Sequence, residues 1–411
     1  MTLLAVEEAL RRILNGARPS GKPETIALAQ ANGRYLAEDL SATRTQPPWS
    51  TSAMDGYALR AADIAAIPAD LRLVGQSAAG HRFDGILGPG QAVRIFTGAP
   101  LPEGADTVVI QENTERPTST DVRILKPPAP GGNIRHEGLD FRKGDTLMKA
   151  GWRLDPGRLA LAAAMNHDRL AVHRRPRVAL LATGDELVLP GCRPGPDQII
   201  ASNTYAIAAL LEDAGAEVID LGIVPDRETA IIEAIHRAES QAVDILVTLG
   251  GASVGDHDLV QKAFATRGMT LGFWKIALRP GKPLMFATLG PMRVLGLPGN
   301  PVSSLVCSHV FLLPLVAALS GMPRQDLQNW AQDHEFDAKS GADLPENDQR
   351  QDYIRASLSR DRTGSLLATP FALQDSSMVS VFAGADALIV RKPHAPPLKT
   401  GESCRVLFLR R

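Results

Sequence analysis

Arg177-Val178-Ala179-Leu180-Leu181-Ala182-Thr183, Glu217-Val218-Ile219-Asp220-Leu221 and Asp244-Ile245-Leu246-Val247-Thr248-Leu249 are apolar runs separated by two helical stretches, 205–214 and 229–238. The first is continuously apolar, as a strand covered on both faces must be. In the second helix Ala230, Ile231, Ala234, Ile235 and Ala238 share one face. Strands alternating with helices at this spacing predict right-handed β-α-β crossovers and a mostly parallel sheet with helices on both sides.

Three glycine-rich turns continue this pattern. They are Gly250-Gly251-Ala252-Ser253-Val254-Gly255-Asp256-His257-Asp258, Arg279-Pro280-Gly281-Lys282-Pro283 and Gly296-Leu297-Pro298-Gly299-Asn300-Pro301-Val302-Ser303. Strand ends that converge on one sheet edge form a ligand crevice. A glycine turn opening a helix exposes backbone N–H groups, and the helix dipole adds positive character, so the first turn suits phosphate. Asp256 and Asp258 beside an anion imply an intervening divalent cation or a hydroxyl to position; alternatively Asp256 caps the helix. Thr183-Gly184-Asp185-Glu186-Leu187 and Val224-Pro225-Asp226 add carboxylates at two further strand ends. Gathered like charges repel, and Mg²⁺, which favours hard oxygen ligands, would offset that repulsion. For Asp226 alone, a helix N-cap is the competing reading. Lys275, Arg279 and Lys282 supply cations for an oxyanion. Lys275 and Arg279, four residues apart, are expected on one face of a strand, while Pro298 and Pro301 stiffen the third turn and Ser303 enters the following helix.

The remainder divides by texture. Leu3, Val6, Leu10 and Ile13 recur at helical spacing, and 27–36 is a second helical stretch. Short β-type runs between Gly/Pro turns follow, then helix 159–165. Beyond about Met322 a polar stretch gives way to β-like runs at 387–390 and 405–409. The expected architecture is multidomain α/β plus β. Residues 1–45 with 140–176 form a discontinuous N-terminal helical/linker domain, and 46–139 form an inserted β-rich domain. The central three-layer α/β domain spans 177–325, and a small β-barrel-like domain spans 326–411.

Composition narrows the function. Of 411 residues, 44 Lys+Arg nearly cancel 45 Asp+Glu, and aromatics make up 5%. No global field recruits nucleic acid, and no aromatic platform for single strands is indicated. Cys192, Cys307 and Cys404 are dispersed, so neither a disulfide framework nor a zinc site is expected, and a reducing cytoplasm fits. The apolar stretch 301–320 contains His309 and Pro314 and reads as a buried core helix rather than a membrane span. There is no H-E-x-x-H, Gly-x-Ser-x-Gly or Walker lysine pattern.

Six motifs occur in one order: Ser52-Ala53-Met54-Asp55-Gly56-Tyr57-Ala58, Thr97-Gly98-Ala99-Pro100, Thr183-Gly184-Asp185-Glu186-Leu187, and the three glycine turns. Together, over essentially the whole chain, they resemble the MoeA family, the molybdopterin molybdenumtransferases related to the gephyrin E domain. The resemblance implies a MogA-like molybdopterin-binding fold for 177–325 and an elongated cytoplasmic homodimer. It also implies insertion of molybdate into adenylylated molybdopterin with release of AMP, Mg²⁺ participating. By motif match, Asp55, Thr97, Glu186, Asp226, Asp258 and Lys275 would be catalytic, with Asp226 and Asp258 holding the metal. Gly250, Gly251, Ser253, Gly255, Asp256, Arg279, Lys282, Pro298, Pro301, Ser303, Arg350 and Ser376 would bind substrate. The turns around Asp55 and Thr97 would complete the crevice from the partner subunit. The adenylyltransferase of the preceding step and recipient molybdoenzymes are further implied partners. Two departures stand out: Arg279 replaces a common Lys, a planar fork for a point charge, and Asp256 replaces a common Glu. A molybdopterin adenylyltransferase and a gephyrin-type scaffold are the alternatives. ATP-dependent AMP transfer would mark the first, and a partner bound without substrate the second.

Overall fold

The computed structural model describes residues 3–250 and 259–409. Its centre is a six-stranded sheet in the order 217–224, 177–183, 245–249, 292–297, 285–289, 270–274. The first four strands are parallel, and the last two run antiparallel along one edge. Alternation across the pleat sends Val178, Leu180 and Ala182 into one core and Ala179 and Leu181 into another. Helices Asn203–Asp213 and Pro301–Cys307 cover the first face. Glu228–Ser240 covers the second, burying Ile231 and Ile235 completely. Each buried isoleucine contributes roughly 1.5–3 kcal/mol, so this three-layer packing dominates the domain.

The helix begun at Pro301 continues through a π-type segment, Ser308–Leu312, and on to Ser320. It is apolar enough to cross a membrane, but 78% of its most apolar window is buried inside the protein. Its side chains form the largest core, which explains the hydropathy without a bilayer.

The first helix, Val6–Leu14, buries Val6, Ala9 and Ile13 in that same core. Arg293 donates to the carbonyls of Ile13 (2.8 Å) and Asn15 (3.0 Å), closing the helix C-terminus with a cation where the dipole favours one. The start of the 1–45 segment therefore packs on the α/β layers and not within a separate helical/linker unit. The helix expected at 27–36 is also corrected. Glu24–Ala27 pairs antiparallel with Arg169–Val172, and only a 3₁₀ turn, Leu28–Gln30, follows. Gly33 at φ 75° ends helical continuation, and bridges from Tyr35 to Arg153 and Leu36 to Val172 draw the segment into extended pairing.

A second six-stranded sheet, 107–110, 56–59, 91–95, 69–77, 121–124 and 114–115, forms the β-rich region with its own cores. In the C-terminal region, strands 351–360, 366–370, 335–340, 403–408 and 387–391 close on themselves as a five-stranded barrel. Closure leaves no free edge within the five. One external strand, Leu278–Arg279, pairs in parallel with Gln351–Asp352.

His309 lies in the π-type segment, and burial, with His334 nearby, lowers its pKa to about 4. Because the folded value lies below the ordinary 6.5, its contribution is complete above pH 6.5 and is lost as pH falls towards 4. Urea titrations across this window should show a loss of ~3 kcal/mol, and His309→Gln should flatten that slope.

Candidate functional site

The strand register gathers the motifs. Thr183 pairs with Val224, Ala182 with Leu249, Leu249 with Leu297, Gly296 with Met285 and Met285 with Trp274. The connections after Thr183, Val224, Leu249 and Leu297, and the 275–284 loop, therefore leave the sheet at one edge. The first and third glycine turns touch there. Gly250 N–H donates to Leu297 O at 3.4 Å, and a β-carbon on Gly299 would lie 3.9 Å from Gly250 Cα. Gly250 has φ 100°, and a side chain there would strike Thr183 O at 2.8 Å, so glycine is required. Of the predicted residues in the first turn, Gly251, Ser253, Gly255, Asp256 and Asp258 lie outside the described residues.

Carboxylates collect beside these turns. Asp185 Oδ1 accepts the Asp226 N–H at 3.2 Å. Burial, then the charges of Asp185 and Glu186, push the Asp226 carboxyl above the usual range. Asp226 does not cap the next helix: its N-cap residue is Arg227, with no side-chain cap. The capping explanation fails for Asp226, and of the three acidic groups at these strand ends only Asp185 has a backbone N–H to accept. An open cleft of about 580 Å³ lies against Asp185 and Glu186, walled by Gly195, Pro196, Asp197 and Gln198. Among the described residues, no group of three or more acidic, His or Cys side chains is arranged to hold a metal. The donor set nonetheless consists of hard oxygen ligands under mutual repulsion, which suits Mg²⁺.

The third turn is braced from several directions. Asn203 Nδ2 donates to Gly299 O at 2.7 Å, Ser304 Oγ to Pro298 O, and Asn300 Nδ2 to Ser376 Oγ at 2.9 Å. Pro301 occupies the first helical position, and Ser303 is buried in the opening turn. Val302 N–H donates to Ser376 O at 3.1 Å, so predicted residues from the α/β domain and the barrel meet at a helix N-terminus.

The predicted cations separate. Lys275 follows the edge strand Thr270–Trp274 with φ 73°, and Arg279 belongs to the short strand paired with the barrel. They do not share a strand face, because the left-handed turn at Lys275 breaks the run. Lys275 Nζ sits 5.7 Å from the Trp274 ring, and Lys282 is exposed. Arg279 is committed to protein partners: Asp352, Asp348 and Asn347. Arg350, predicted to meet substrate, donates from Nη2 to Asp348 at 3.0 Å and leaves its buried Nε unpartnered.

Sequence reading missed Arg355. Its side chain is fully buried, donates from Nη2 to Asp375 O at 3.2 Å, and leaves Nε unpartnered. Its partner Asp375 precedes Ser376 in the chain. Arg355 pairs with Leu388 and shares the strand face of Tyr353, which packs against the α/β core and not into the barrel; the strand is of mixed polarity, so the sequence carried no signal that singled it out. The buried hydroxyls of Thr183 and Thr248, on neighbouring strands at this edge, also lack partners.

Asp55 and Thr97 are joined directly. Thr97 N–H (2.7 Å) and Oγ1 (2.8 Å) both donate to Asp55 Oδ1, holding the carboxyl below its usual range with help from Arg94. Asp55 O also accepts from Gln111 N–H, so its hydrogen bonds stay within the β-rich domain. The lowered folded pKa means that this contact stabilises at neutral pH and is lost as acid protonates Asp55. Thr97→Val, which keeps the backbone bond, should raise the Asp55 pKa in an NMR titration; an unchanged value would show that the hydroxyl contributes nothing.

Comparison with known proteins now bears on this geometry. The family descriptions "MoeA N-terminal region (domain I and II)", "Probable molybdopterin binding domain" and "MoeA C-terminal region (domain IV)" match residues 4–166, 179–318 and 337–409. A molybdopterin molybdenumtransferase of Nostoc sp. is 41% identical over 342 residues, spanning 82% of this chain and 77% of that protein. Another, of Haemophilus influenzae, is 34% identical and spans 98% of both. A solved molybdopterin biosynthesis MoeA protein from Pyrococcus horikoshii OT3 superposes with TM-score 0.83 at 25% identity, covering 99% of this chain and 100% of that one.

Proposed function

Since the chain belongs to the MoeA family of molybdopterin molybdenumtransferases and is an enzyme of that family, we propose that it inserts molybdate into adenylylated molybdopterin and releases AMP. The observation that carries this reading is the single sheet edge where carboxylates, glycine turns, a helix N-terminus and the buried Arg355 meet. A pterin phosphate and its adenylate would lie beside Gly250, along the glycine-rich stretch whose sequence suits an anion. Asp226 and Asp258 would hold Mg²⁺, which when bound supplies positive charge against the phosphates.

The chain's own residues then have separate tasks. Arg355 and the Asn300–Ser376 pair offer donors to a tetrahedral oxyanion, with Lys275 and Lys282 on the neighbouring loop. Arg350, whose Nη2 is held by Asp348, also keeps an unpartnered Nε and would join them. In the reaction the phosphoanhydride P–O bond breaks and an oxygen from molybdate or water forms the new one. AMP leaves as molybdenum takes the dithiolene sulfurs. Glu186 and Asp226 would orient the attacking oxygen, and preorganised charge would be the main source of acceleration. The Asp55–Thr97 clasp would serve the same crevice from a second copy of the chain in a cytoplasmic homodimer.

Incubating the protein with adenylylated molybdopterin, molybdate and Mg²⁺, then measuring AMP, tests the reading. Asp226→Asn relieves like-charge repulsion, so its melting temperature should hold or rise while AMP release falls ~10²-fold. AMP release at the wild-type rate would remove Asp226 from the mechanism. Arg355→Gln should raise the molybdate KM at least about tenfold, and Arg350→Gln should act in the same direction.

A further inference from the structure

The 275–284 loop is gripped on three sides. On the first, the N-terminus reaches across: Leu4 bridges Ile276, and Ala277 N–H donates to Leu4 O at 2.7 Å. On the second, the barrel adds Gln351 N–H to Ala277 O at 2.9 Å and the parallel pairs Leu278 with Gln351 and Arg279 with Asp352. Beneath, Gly281 at φ 121° lies over Cys307, whose Sγ would be 2.6 Å from any β-carbon there.

Arg279 completes the grip. Its Nε donates to Asp352 Oδ1 at 2.8 Å and Nη2 to Asp352 Oδ2, a fork on one carboxylate. Nη2 also reaches Asn347 Oδ1 at 3.1 Å, and Nη1 reaches Asp348 Oδ2 at 3.2 Å. A guanidinium has five N–H donors, and these four hydrogen bonds leave one. Asp348 is shared with Arg350, so two guanidinium groups face two carboxylates and the cluster carries no net charge. An incoming oxyanion would meet a single free N–H, and gripping it through a fork would mean displacing Asp352, which is 9% exposed and would be left without its ion-pair partner.

We propose that Arg279 is a positioning residue, not an oxyanion ligand: with Asp352 and Asp348 it fastens the C-terminal barrel to the loop that carries Lys275 and Lys282. A lysine could supply the charge, but as a point charge it could not fork Asp352 while also reaching Asp348 and Asn347. The kinetic part of this inference rests on the reading of the crevice as a molybdate site; the fastening does not.

The test uses the full-length protein with Arg279→Gln, Arg279→Lys, Asp352→Asn and the Arg279→Gln/Asp352→Asn double variant, with melting curves to confirm folding. Hydrogen exchange at Ala277 and Gln351 reads the fastening, and equilibrium binding of molybdate alone together with AMP-release kinetics reads the anion. Each single variant should speed exchange by about tenfold or more and lower kcat, with molybdate affinity within about twofold of wild type. The double variant should be no worse than either single one, as expected of residues acting as a unit. Arg279→Lys should not rescue. The proposal is overturned if Arg279→Gln weakens molybdate binding about tenfold with exchange unchanged, or if Asp352→Asn tightens it by freeing the guanidinium. A wild-type protein that releases no AMP would defeat the proposed reaction, while the exchange rates would still decide the fastening.

Discussion

Parallel strands buried on both faces must release their chains at the same edge, and this constraint organises the molecule. Strands 177–183, 217–224, 245–249 and 292–297 run in register, so whatever follows each of them is brought to one place. The antiparallel edge pair then returns the 275–284 loop to that edge. Carboxylates, glycine turns and cations distant in sequence become neighbours without any local contact between them. Stability gains little from this crowding: Asp226 is pushed towards its neutral form by burial and by Asp185 and Glu186.

Positive charge is handled differently at two points near that edge. Arg355 is buried with an unpartnered Nε, whereas Arg279 is nearly saturated by the barrel's own acids. Arg279 keeps one N–H of five, on an exposed edge, whereas the unpartnered N–H of Arg355 is buried.

The central sheet was legible in the sequence because strands covered twice are written as continuous apolar runs, as in 178–182. The β-rich insertion and the barrel were legible as short strands between turn residues. The turns around Asp55 and Thr97 were legible as ordered motifs, but the two hydrogen bonds that join these residues were not. What failed depended on distant partners. The 27–36 stretch has helical spacing but is claimed by strands more than a hundred residues away. Arg350 and Arg355 lie five apart in one polar-looking stretch, and only the folded strand 351–360 shows that Arg355 is the fully buried one. Arg279 looked like a free cation because its partners lie about seventy residues downstream.

The burial of helix Val6–Leu14 in the α/β core has a consequence for how the protein is made. This helix leaves the ribosome well before its partners, since the core it joins includes Val178, Ile245 and the helix that begins at Pro301. Its apolar stripe must stay solvent-exposed or chaperone-bound while the β-rich insertion is synthesised and folds on its own cores. The α/β domain is sealed late, when Arg293 reaches the carbonyls of Ile13 and Asn15. Ribosome-bound chains ending before Arg293 would then carry a folded insertion between two halves of an unfinished core.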